Sequence, residues 1–132
     1  MSAFFVKVGV VYLVLGLLAG GVMHHQHHAG LLPLHAHLSL IGGLSIVIGC
    51  IYRAFPRAGQ SRLASWHFWS FNISIGLFLL WMVWLVNAGR TFNDAQPHSH
   101  EMTVSMLGLV LAASICIFVF NVFKNVTDSH DE

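Results

Sequence analysis

Four long apolar runs constrain this chain more than any other feature. They cover about Phe4 to Met23, Leu34 to Ile51, Trp66 to Val86 and Met102 to Phe123. Each is close to the roughly 20 residues that a helix needs to cross the hydrocarbon of a bilayer. Backbone polar groups find no water there, so runs of this kind are helical. With 56% hydrophobic and 8% charged residues, no stretch remains for a separate soluble domain. The expected fold is all-α: one transmembrane domain over residues 1–132, an integral membrane four-helix up-down bundle.

Ala19, Gly20 and Gly21 near the end of the first run would also suit a cleavable leader. Lys7 lies inside the run rather than ahead of it, and removal would leave three spans, so we read a retained helix. The net charge of +1 says little, but its distribution says more. Arg53, Arg57 and Arg62 fall in the second connection, with Lys7 and Lys124 near the two ends. The positive-inside rule then places both termini and this connection in the cytoplasm. The few basic residues are thereby topological, and nothing points to nucleic acid.

Eight of the ten histidines gather on the opposite, outward side. His24, His25, His27 and His28 lie in the first connection, His98 and His100 in the third, and His35 and His37 open the second helix at the same face. An ionisable residue in a bilayer segment is a functional-site hypothesis by default. At ~100° per residue, Ser39, Gly42, Gly49 and Arg53 fall on one strip with His35, while His37 lies over Ile41, Leu44 and Ile48. A groove of Ser and Gly under an imidazole leaves space for a large planar group. His35 is thus the candidate axial ligand, with Ser39 and Gly42 bordering the slot and His37 at an interface or near headgroups. The alternative for His35 is an interfacial imidazole bonded to a neighbouring backbone carbonyl.

Other features carry two readings each. Gly9, Gly16 and Gly20 share one face of the first helix, either for close helix packing or to make room for a flat cofactor. The four histidines at 24–28 form a tract that attracts copper, zinc or nickel, either loosely as a flexible loop or as a dedicated metal site. His98-Ser99-His100-Glu101-Met102 is a second such patch, or a capping loop before the fourth span. Arg53 and its neighbours in a short second turn would meet lipid headgroups or cofactor propionates. His67, within Trp66-His67-Phe68-Trp69, is a second ligand or an imidazole among headgroups; we favour headgroups. Ser105, Gly108, Ala112 and Cys116 form a small-residue strip suited to tight packing. Cys50 and Cys116 lie outside any metal or haem-attachment motif and read as buried spectator thiols.

Pro33-Leu34-His35-Ala36-His37-Leu38-Ser39-Leu40-Ile41-Gly42 resembles the start of the second helix of subunit I in haem-copper oxidases and nitric oxide reductases. More closely, the chain resembles short four-helix bacterial membrane proteins related to that subunit. The likeness rests on His35 to Gly42, Tyr52 to Pro56, His67 to Trp69 and Asn121 to Lys124. It implies a bacterial inner membrane location, b-type haem, and an axial-ligand role for His35. The full subunit's additional helices, copper-binding histidine cluster and cross-linked tyrosine are not identifiable, so a complete oxidase is not expected of this chain alone.

The leading expectation is a membrane-embedded b-type haem protein for electron transfer or for binding a diatomic gas such as nitric oxide or oxygen. One protomer is a small container for haem, so a homo-oligomer, dimer or trimer, sharing a pocket is expected, with a respiratory-chain redox partner. The alternatives are a copper- or zinc-handling membrane protein and a non-catalytic partner in a respiratory complex. No triad or paired carboxylate supports hydrolysis.

Overall fold

The computed structural model describes residues 1–27, 29–88 and 97–126, and of 97–101 only the backbone. Helix α1 spans Ser2–Gln26, α2 Leu32–Ala54, α3 Pro56–Gly59, α4 Arg62–Asn87 and α5 Pro97–Asn125, with a 3₁₀ turn at Ala29–Leu31. No strand occurs among the described residues. The four long helices are each long and apolar enough to cross a membrane. Their outward surfaces are oily throughout, with Leu17 74%, Leu40 71% and Phe123 84% exposed. Such a surface has a solvent in lipid and none in water.

Local chemistry sets the helix ends. His27 closes α1 in the left-handed conformation, with its N–H donating to the Met23 carbonyl. Pro33 stands in the first turn of α2, where a missing N–H costs nothing. Phe55 leaves the helical region at φ −118° and ψ 84° because Pro56 follows it. The second connection, expected as a turn, therefore contains the one-turn helix α3. Ser61 then caps α4, its Oγ accepting from the Ala64 N–H at 3.1 Å.

Helix α1 packs mainly on α2, and α4 mainly on α5. The α1–α2 seam is built on glycine. A Cβ on Gly9 would lie 2.8 Å from the Gly42 carbonyl, one on Gly16 2.8 Å from Ser39 Oγ, and one on Gly49 3.0 Å from the Ser2 carbonyl. The start of α1 thus lies beside the end of α2, and the two backbones approach as closely as small residues permit. Of the two readings of the glycine face, close packing is the one the contacts bear out.

Phe5 joins the two helix pairs. It is fully buried, with ring centroids 5.7 Å from Tyr52 of α2 and 5.0 Å from both His67 and Phe68 of α4. Aromatic packing is concentrated at the end bearing Arg53, while towards the end bearing His35 the same core continues through Leu34 and Leu38 of α2 and Leu79 and Met82 of α4. On α5 the expected packing strip is reversed. Ser105, Gly108, Ala112 and Cys116 are exposed, and it is Ser114 and Asn121, both fully buried, that face inward. Cys50 is exposed as well, so both thiols lie on the surface of the bundle rather than inside it.

Candidate functional site

His35 sits where α1 crosses the first turns of α2. Its Nδ1–H donates to the Gly16 carbonyl at 2.7 Å, and the ring packs on Gly20, where a Cβ would fall 2.8 Å from Nδ1. A carbonyl can only accept, so the proton is on Nδ1 and the Nε2 lone pair is left to act as a ligand. His37 repeats the arrangement locally, donating from Nδ1 to the Pro33 carbonyl at 2.8 Å, with its ring 5.3 Å from that of Phe78 in α4. Pinning one ring nitrogen to a backbone oxygen is how proteins orient a metal-binding imidazole. It is also how a purely structural imidazole is held.

The slot expected beneath His35 is filled. A Cβ on Gly42 would lie 2.7 Å from Leu13 Cγ and 2.8 Å from the Gly9 carbonyl, and Ser39 lies against Gly16. Helix α1 occupies the strip, because the glycines on the two helices face each other. Ser39 and Gly42 are therefore seam residues. Arg53 lies exposed in the last turn of α2, at the far end of the bundle from His35.

His67 is not among headgroups. It is 1% exposed, inside a cage formed by the rings of Phe5, Tyr52, Phe71 and Phe118 at centroid distances of 5.0 to 5.9 Å. Trp66 and Trp69 on either side are 69% and 61% exposed, so the histidine points away from the face that the tryptophans occupy. Tyr52 Oη lies 2.9 Å from His67 Nδ1 and accepts from Asn121 Nδ2–H at 3.3 Å. A hydroxyl oxygen can accept twice, so this contact is made either by the phenol O–H or by Nδ1–H according to the imidazole tautomer. Asn121 further donates to the Ala58 carbonyl at 3.0 Å and accepts from Ser61 Oγ at 2.8 Å, and Ser114 Oγ donates to the His67 carbonyl at 3.2 Å. This knot ties α2, α3, α4 and α5 together. Tyr52 and Asn121 were noticed only within the family-like motifs. The signal for them is a polar residue on the same helical face as the buried Phe and Ile positions.

His24, His25 and His27 are exposed at the end of α1. His28 lies outside the described residues, as do the side chains of His98 and His100. Among the described residues, no three His, Cys, Asp or Glu side chains gather to hold a metal ion.

Between the two helix pairs a cavity of about 450 Å³ opens, lined by Tyr12, Leu15 and Ala19 of α1, Leu34 and Leu38 of α2, and Gly76, Leu79, Leu80 and Val83 of α4. Its polar feature is Tyr12, whose hydroxyl donates to Asn72 Oδ1 at 3.3 Å. Among the described residues no histidine lines it. Comparison with known family models, curated proteins and solved structures finds no match.

Proposed function

We propose that this chain is a multi-pass protein of a bacterial inner membrane, an up-down bundle with both termini cytoplasmic, that binds b-type haem through Nε2 of His35 in electron transfer or diatomic gas binding. The observation that carries this reading is the 2.7 Å bond from His35 Nδ1–H to the Gly16 carbonyl, which fixes the ligating tautomer at the mouth of a membrane helix. A metal ion held by protein alone needs several converging donors. A porphyrin brings its own ring nitrogens and asks the chain for one or two imidazoles. A single oriented imidazole such as that of His35 meets the second requirement.

The donor chemistry fits haem, whereas the closed α1–α2 seam does not admit a porphyrin and the cavity offers no imidazole. The reading therefore places haem at the histidine end, shared between copies of the chain. Bound haem would supply one-electron chemistry and an iron site for a gas. The chain's part is to hold the tautomer of His35 and to keep an apolar surround, with His37 beside it. No catalytic side chain is assigned, and a complete oxidase reaction is not part of the reading.

A second reading, copper or zinc handling, is favoured by the three exposed histidines at 24, 25 and 27, which share this end with His35 and His37. An absorption spectrum and elemental analysis of protein purified without a His tag separate the two. A Soret band with iron supports haem; copper or zinc near one equivalent without that band supports the second reading. Neither pigment nor metal overturns both and leaves a non-catalytic partner in a larger complex.

A further inference from the structure

The cavity between α1, α2 and α4 lies apart from the residues of the haem reading. Its volume of about 450 Å³ falls within the roughly 300–1,000 Å³ of sites that hold small-molecule ligands. Its walls are aliphatic except for Tyr12, whose hydroxyl proton is committed to Asn72. Water needs two or more polar partners to stay in such a space, and this lining does not offer them. Two small residues, Ala19 and Gly76, make the room; a Cβ on Gly76 would meet no atom within 4 Å. Leu15, Leu80 and Val83 line the cavity and are themselves 46%, 66% and 40% exposed, so it opens sideways between α1 and α4. All nine lining residues lie within helices able to span the membrane, so what faces that opening is the hydrocarbon of the bilayer.

We propose that this cleft holds one hydrocarbon chain of a membrane lipid, inserted laterally between the two helix pairs. The chain buries its methylenes against both pairs and fills a gap that would otherwise leave the lining without contacts. The chemistry recognised is a single flexible acyl chain of a phospholipid, with no headgroup contact required.

The test uses the full chain reconstituted in vesicles of phosphatidylethanolamine and phosphatidylglycerol doped with an isoprenoid quinone. After extraction into mild detergent, intact complexes are weighed by native mass spectrometry. One retained phospholipid per chain is expected; retention of the quinone in its place overturns the acyl assignment. Gly76→Phe, which fills the cleft, is expected to lose it. Gly43→Phe, whose side chain also enters open space but away from the cleft, is expected to keep it. Circular dichroism checks that each variant is helical, and Ala19→Leu replaces Gly76→Phe should the latter fail to fold. A wild-type chain that retains no lipid, or a filled cleft that retains as much as wild type, overturns the proposal.

Discussion

Adjacent glycines in α2 offer a sharp test of the closed seam, because Gly42 and Gly43 face opposite surroundings. A Cβ on Gly42 would stand 2.7 Å from Leu13 Cγ, 2.8 Å from the Leu13 nitrogen and 2.8 Å from the Gly9 carbonyl. Two of those atoms are helix backbone and cannot swing aside, so α1 and α2 must part. Overpacking by a methyl group costs about 1–3 kcal/mol, against a gain of about 0.5–1 kcal/mol for replacing a helical glycine by alanine. Gly42→Ala is therefore expected to lose up to about 2.5 kcal/mol, where Gly43→Ala gains. A Cβ on Gly43 meets nothing within 4 Å, so Gly43→Ala keeps only the gain of about 0.5–1 kcal/mol. Reversible unfolding in mixed micelles with rising dodecyl sulfate, followed by circular dichroism, reads both. If Gly42→Ala is as stable as Gly43→Ala, the strip under His35 is open, and the argument that α1 fills it is refuted.

Three further outcomes follow from the same contacts. Tyr52→Phe strands His67 Nδ1 and an Asn121 N–H in a buried site, for an expected loss of about 1–3 kcal/mol; in the same titration it should fall well below Tyr12→Phe, whose hydroxyl is only part-buried. Ser61→Ala removes both the cap of α4 and the donor to Asn121, and a loss of about 1–2 kcal/mol is expected; a variant as stable as wild type would show the cap to be idle. Cys50 and Cys116 are exposed within spans, where a thiol facing hydrocarbon does not form the reactive thiolate, so in vesicles both should react slowly with a maleimide and rapidly once dodecyl sulfate unfolds the bundle. Rapid reaction in intact vesicles would contradict the membrane setting.

The four spans were legible because an apolar run of this length has one solution in a bilayer. Their ends were not, since helices run on past the apolar stretch: α1 reaches Gln26 through His24 and His25, and α5 begins at Pro97 rather than Met102. Angular spacing put Ser39 and Gly42 on one strip with His35, and that grouping holds. What spacing could not tell was the occupant of the strip, because one helix's periodicity says nothing of which neighbour lies over it. The glycine face of α1, written into the same sequence, was the missing half. His67 was misjudged for a similar reason. Trp66 and Trp69 look like an interfacial belt and are exposed, but a helix turns ~100° per residue, and the histidine between them points the other way. Asn121 and Tyr52, far apart in sequence, meet only through the tertiary fold.

The most direct test of the central claim, that Nε2 of His35 is available to iron, is a reduced-minus-oxidised absorption spectrum of wild type beside His35→Ala and His24→Ala. The expected result is a haem difference band in wild type and His24→Ala that is lost or displaced in His35→Ala. An unchanged band in His35→Ala, or no band in any of the three, would contradict it.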